Sequence, residues 1–173
     1  IYETYVVKNF TTDSYDIMGM PYISNTGSTN DFITKLSTNI PIIFDQKYPP
    51  YSSVIIKKYK KPYWLVTKQN LPLKDEDIPF KSVQIKDFLI TDQFNLTPLD
   101  FLDLIIDRIS NVNPSQQFRQ TDIIQQWKLL LANYPSDIII SKILVTCSSG
   151  TYIRNIANYM NGCCYDINRL DYL

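Results

Sequence analysis

Any chemistry this chain performs has to come from carboxylates, tyrosines, lysines and arginines, because its 173 residues include no histidine. That removes the Ser–His and Cys–His pairs that generate a nucleophile, and the imidazoles on which acid–base work most often rests. It also removes almost every zinc site that three cysteines lacking a Cys-x-x-Cys spacing would join, so no metal is expected. Cys147, followed by Ser148 and Ser149, sits where a nucleophile would be sought. With no base to take its proton, the simpler reading is a buried structural thiol. Two features remain. Arg154 falls in the first turn of an expected helix, where the macrodipole is positive and a cation costs about 0.3–1 kcal/mol. An arginine there either snorkels to the surface or is held for a carboxylate or phosphate. The stretch Lys57-Lys58-Tyr59-Lys60-Lys61-Pro62-Tyr63-Trp64 interleaves four lysines with aromatics. Such a pattern meets phosphates and stacks on bases, and serves equally well as a merely solvated face.

The elements that must position these residues are legible in outline. Tyr2 to Phe10 alternates as a strand, a polar turn runs from Thr12 to Gly19, and Tyr22 to Asn30 has the composition of a loop. Asp31 to Leu36 suits a short helix, prolines break Pro41 to Pro50, and Val54 to Lys57 resumes a strand. Pro62 to Gln69 fits neither template. Lys81 to Thr91 reads as a strand with one irregularity. Thr97-Pro98 with Asp100 supplies a helix start, and Leu99, Leu102, Ile106 and Ile109 then make one apolar face. A second helix carries Ile123, Ile124, Trp127, Leu130 and Leu131. Ile138 to Cys147 is rich in β-formers, and a last helix turns Ile153, Ile156, Ala157 and Met160 inward. The reading is one mixed α/β (α+β) unit spanning residues 1–173.

Seventeen basic residues balance seventeen acidic ones, so any basic site is local. No apolar run reaches the length that spans a bilayer. Three cysteines, two adjacent, make no disulfide framework and point to a reduced intracellular compartment. Ile1 opens directly in a strand-like pattern, without the compact apolar block of a signal peptide. The expectation is a piece of a larger protein.

Val145-Thr-Cys-Ser-Ser-Gly-Thr-Tyr-Ile-Arg154 resembles the Cys-Ser-x-Gly-Thr-Tyr-Ile-Arg segment of the TruB family of tRNA pseudouridine synthases. Gly162 with Ile167-Asn168-Arg169-Leu170 is similar to the ending that follows it in that family. Weaker likenesses fall in the same order. They are Tyr2 before the Thr12-Asp13…Asp16…Gly19 turn, Pro49-Pro50-Tyr51-Ser52-Ser53 against Pro-Pro-x-Tyr-Ser-Ala, and Tyr63 against a Tyr-Glu-x-Ala-Arg segment. The likeness runs from Tyr2 to Leu170, interrupted by residues 97–134, which resemble a helical insertion. There are departures. Ile55 stands where a lysine often follows Tyr-Ser-Ala, and nothing resembles the Gly-x-x-Asp loop that carries the family's nucleophile or its PUA-type tail.

The resemblance implies the C-terminal part of a pseudouridine synthase catalytic domain, with a mostly antiparallel mixed sheet flanked by helices. It implies isomerisation of the T-loop uridine of tRNA by a monomeric enzyme that needs no cofactor. The catalytic aspartate is expected upstream, Arg154 pairs with it, and Tyr2 stacks on the target base and serves in proton transfer. Ile167 lines the pocket, and Lys57, Lys58, Lys60 and Lys61 contact RNA. Asp13 and Asp16 belong to the turn and are not assigned catalysis. By pattern alone, Tyr2 is one of 13 tyrosines on a half-buried strand and Ile167 is core. The competing reading is a non-catalytic RNA-binding or tRNA-folding module. A protein-interaction role for the Trp127 face comes third.

Overall fold

The computed structural model describes residues 1–24, 31–113, 115 and 118–170. β1 (Tyr2–Lys8) ends at Asn9, whose φ of 66° is left-handed, and the chain resumes as β2 (Phe10–Thr12), paired with β3 (Pro21–Ile23). Asparagine tolerates that conformation, which is why one alternating run becomes two strands. Of the loop expected from Tyr22 to Asn30, Tyr22 and Ile23 pair with β2 instead, and 25–30 lie outside the described residues. Then come α1 (Asp31–Thr38), β4 (Ile42–Lys47), the two-residue pair β5 (Ile55–Ile56) and β6 (Lys61–Pro62), and α2 (Tyr63–Lys68). The prolines around residues 41–50 flank β4 rather than break it, and the strand expected at Val54 to Lys57 shrinks to two residues. A 3-10 turn at Asp75–Asp77 leads into the long β7 (Phe80–Leu96). α3 (Pro98–Ser110), α4 (Gln120–Leu131), β8 (Ile138–Cys147), α5 (Ile153–Tyr159) and β9 (Gly162–Arg169) complete the described chain.

Five strands form one sheet in the order β4-β7-β8-β1-β9, with every neighbouring pair antiparallel. The fold is therefore α+β. Side chains alternate between the two faces. On one face Val7, Ile138, Ile140 and Cys163 pack with Phe101, Ile105 and Ile109 of α3 and Ile123, Trp127 and Leu131 of α4. On the other, Val6, Ile143, Val145 and Cys164 pack with Leu36 of α1 and Ile153, Ile156, Ala157 and Met160 of α5.

The stretch 97–134 is thus not an appendage. Its two helices close one face of the sheet. Thr97 caps α3, its hydroxyl oxygen accepting from Asp100 N at 3.1 Å and its proton reaching the Asp100 carboxylate at 2.7 Å. The buried stripe differs from the expected one. Phe101, Ile105 and Ile109 face inward while Leu99 is 68% exposed, because the large Phe101 ring sets the helix's rotation against Trp127, 5.6 Å away. α4 and α5 bury the stripes their sequences predict. Among the described residues, no helix is long and apolar enough to cross a membrane.

Candidate functional site

The polar turn between β2 and β3 brings two carboxylates, Asp13 and Asp16, to two arginines, Arg119 and Arg154. Its own side chains hold it closed. Thr12 Oγ1 donates to Asp16 O at 2.6 Å, Ser14 Oγ donates to Asp16 Oδ1 at 2.8 Å, and Met18 N donates to the same oxygen at 3.0 Å. Met20 N donates to Asp13 Oδ1 at 2.8 Å. Gly19 is the residue that lets these groups approach, since a Cβ there would lie 2.3 Å from Ser14 Oγ and 2.8 Å from Ser14 N. Backbone bonds dock the turn on β9, Ile17 N to Cys164 O at 2.9 Å and Cys164 N to Tyr15 O at 3.0 Å. Trp127 Nε1 donates to Ile17 O at 3.3 Å, so the helical pair is tied to the same turn.

Two arginines grip it. Arg154 Nη1 donates to Ser14 O and to Asp16 Oδ2, each at 3.0 Å, and both side chains of the pair are about four-fifths covered. Among the described residues, Arg154 Nη2 has no hydrogen-bond partner. Arg119 binds Asp13 in a fork, Nη1 to Oδ2 at 2.8 Å and Nη2 to Oδ1 at 3.3 Å, with its guanidinium 5.4 Å from the Tyr51 ring. Hydrogen bonding to Asp13 raises the Arg119 guanidinium further above its ordinary value. Burial and the neighbouring Asp13 push the Tyr51 hydroxyl up.

The helix bearing Arg154 is aimed by groups with no charge. Gly150, at φ 82°, reverses the chain after β8, and Thr151 Oγ1 donates to Ser148 O at 2.8 Å. Buried Gln46 of β4 then brackets Tyr152, its amide donating to Tyr152 O at 3.2 Å and its carbonyl accepting from Tyr152 N at 2.8 Å. These bonds fix the residue before α5, and through it the direction in which Arg154 leaves the first turn.

Register brings the other expected residues to the same side. Tyr2 pairs with Val145, and Thr4 with both Ile143 and Ile167, so Tyr2 and Ile167 lie on the sheet face that α5 covers. Thr4 Oγ1 donates to Asp166 O at 2.8 Å and sits 3.5 Å from Cys164 Sγ, which contacts Ile153 O at 3.8 Å. A continuous thread thus runs from the Tyr2 strand to the start of α5. Ile167 is 36% exposed toward the free end of β9, which corrects its reading as core. Burial pushes the Cys164 thiol up to about 12, raises Cys163 well above its ordinary value and raises Cys147 too, as befits structural thiols.

The four lysines separate. Lys58 Nζ is bonded to Asp77 Oδ2 and Pro72 O, both at 3.2 Å, and Lys61 Nζ to Gln69 Oε1 at 2.9 Å. The bond to Asp77 raises the Lys58 ammonium above its ordinary value. Lys57 and Lys60 are exposed, without a side-chain partner among the described residues. Sequence reasoning missed three residues of this arrangement: Asp16 as the partner of Arg154, Arg119 as the partner of Asp13, and Gln46 beneath α5. The only signal was the density of Asp, Ser and Thr in a turn ending on glycine.

No protein-family model matches this chain, and a search of curated proteins finds no match. Among the described residues, no group of three His, Cys, Asp or Glu side chains is placed to hold a metal ion.

Proposed function

We propose that this chain is the C-terminal part of a TruB-like pseudouridine synthase domain, acting on a T-loop uridine of tRNA with a catalytic aspartate supplied from upstream. The observation that carries the reading is the state of Arg154. Its Nη1 is anchored to the turn through Asp16 and Ser14, and its Nη2 has no hydrogen-bond partner among the described residues. The helix that bears it, α5, covers the sheet face on which Tyr2 and Ile167 lie. An arginine so anchored can receive a second carboxylate in a charge-assisted bond without moving.

The chemistry asks little else of these residues. The C1′–N1 bond of the uridine breaks, the uracil turns, a C1′–C5 bond forms, the proton on C5 leaves to a base, and N1 takes up a proton, so that the net change is an isomerisation. No metal or redox partner enters that balance. A base inside a folded loop must first be extruded, at a cost of a few kcal/mol. In this reading Tyr2 offers the face on which the uracil stacks and the hydroxyl that takes part in proton transfer. Ile167 bounds the ring's edge, and Arg154 positions the incoming aspartate.

One observation favours the second reading, a non-catalytic RNA-binding module. Arg154 already has a carboxylate, Asp16, and the turn is complete without another. The deciding experiment is a pseudouridine assay on a tRNA T-loop substrate, using the full protein that carries this chain and its Arg154→Ala variant. The expected result is turnover by the parent and a loss of about a hundredfold or more in the variant, the scale on which misplacing a reacting group acts. A parent that binds the RNA but makes no pseudouridine overturns the synthase reading and leaves the binding module.

A further inference from the structure

Beside the turn lies a cleft of about 460 Å³, lined among others by Asp13, Tyr15, Tyr22, Tyr63, Leu71 and Leu73. Three tyrosines from three separate elements line one open cleft, and their surroundings differ. Tyr63 is 6% exposed at the head of α2, Tyr15 is half-buried and Tyr22 is 50% exposed on β3. Burial, with Tyr63 and Tyr22 close by, pushes the Tyr15 hydroxyl up to about 12, and burial raises the Tyr63 hydroxyl as well. Tyr15 holds a φ of 66° and Tyr51, beside the lining Pro50, a φ of 61°. An aromatic residue rarely adopts that region, and such conformations gather at ligand sites.

The charge around the cleft is mixed, but its carboxylates are paired, Asp13 in the lining with Arg119 and Asp75 near Tyr63 with Lys47. Asp13 is neutralised by its fork to Arg119, in which its Oδ2 accepts from Nη1, and the Tyr51 hydroxyl also interacts with its carboxylate. The lysine-bearing turn between β5 and β6 is seated on the cleft's own wall. Tyr59 Oη and Lys58 Nζ both donate to Pro72 O, at 2.6 and 3.2 Å, between the lining Leu71 and Leu73. That leaves Lys57 and Lys60 projecting from the same small unit as exposed cations.

We propose that this cleft is a nucleoside subsite. It takes an unstacked base of single-stranded RNA against Tyr22 and its two neighbours, with the flanking phosphates on Lys57 and Lys60 and an exocyclic amino group donating to Asp13 Oδ2. A carboxylate only accepts, so the site prefers cytosine over uracil, which presents a carbonyl at that edge. It is accordingly separate from the place of a target uridine. The inference extends the RNA reading above and rests on it for the class of ligand.

The test is fluorescence anisotropy of labelled rC5 and rU5 pentamers on the full protein and three variants. Tyr22 is exposed, so Tyr22→Ala leaves the core intact. It is expected to weaken rC5 binding about tenfold, while Tyr22→Phe binds as the parent does. Lys57→Ala/Lys60→Ala lowers the slope of log affinity against log salt by about 1.4, two contacts at roughly 0.7 each on a single strand. rC5 binds several-fold more tightly than rU5. Affinity unchanged in Tyr22→Ala, or equal for the two pentamers, overturns the subsite, as does a parent that binds neither. The synthase reading fails separately. A parent that binds rC5 as described yet makes no pseudouridine keeps the subsite and loses the enzyme. A parent that turns over tRNA with Tyr22→Ala indistinguishable from it keeps the enzyme and loses the subsite.

Discussion

Arg154 and Arg119 hold the same turn from opposite faces of the sheet, and they hold it differently. Arg119 stands at the head of α4, commits both terminal nitrogens to Asp13 and lies against Tyr51. Its side chain is 38% exposed. Arg154 leaves the first turn of α5, commits one nitrogen to two acceptors, and keeps the other open in a more covered place. The first arrangement is a brace, with the planar fork matched to one carboxylate. The second has hydrogen-bonding capacity to spare, and a partly covered charge with an open donor is what an incoming anion requires. The turn is thus gripped twice, once by a saturated fork and once by a guanidinium with bonding capacity left over.

The brace depends on the helical pair behind it, and the largest effect is expected there. Trp127 is fully buried, touches the rings of Phe10 and Phe101 at 5.5 and 5.6 Å, and donates to the turn at Ile17 O. Trp127→Ala should cost about 3–5 kcal/mol of unfolding free energy, measured by urea denaturation. A loss below about 1 kcal/mol would mean that α3 and α4 are not part of one core with the sheet, and that Arg119 braces nothing. The next effect belongs to the other arginine. Arg154→Ala leaves Asp16 mostly covered without its cation, for about 1–3 kcal/mol. Asp16→Asn should cost a comparable amount, because it leaves the mostly covered Arg154 guanidinium without its carboxylate and turns an amide N–H toward either that guanidinium or the Ser14 and Met18 donors. If both variants are as stable as the parent, the Arg154 pair is ornamental and the contrast between the two grips collapses.

How much of this was legible beforehand follows from how local each signal is. The α5 stripe of Ile153, Ile156, Ala157 and Met160 and the α4 stripe around Trp127 are periodic in sequence, and both bury as read. The α3 stripe was misread by one step because Leu99 begins the apolar pattern in sequence, whereas Phe101 fills the space beside Trp127. That choice is made by a helix some twenty residues away. β4 was obscured by prolines that turn out to lie at its borders. The site was harder still. Arg154 could be singled out by its place in a helix start, but its partner lies 138 residues away in a turn, and Arg119 meets Asp13 across 106 residues. Nothing in composition or period encodes such pairings. Gln46 was invisible for the same reason, since a lone glutamine in a strand announces nothing until Tyr152 arrives beside it.

The smallest effect is the most discriminating. Arg119 is more than a third exposed, so its ion pair is screened by solvent, and Arg119→Ala should cost no more than about 1 kcal/mol in dilute buffer. At about 1 M salt the Debye length falls to roughly 3 Å, comparable to the pair's own separation, and the cost should shrink toward zero. The Arg154→Ala cost should change little, because that pair is shielded from the ions and includes a hydrogen bond to the Ser14 carbonyl, which carries no net charge. Unfolding both variants at low and high salt therefore separates a solvent-facing brace from a covered anchor. Equal salt sensitivity would show that the two arginines occupy the same electrostatic environment. Arg154 would then be no better placed than Arg119 to receive a second carboxylate.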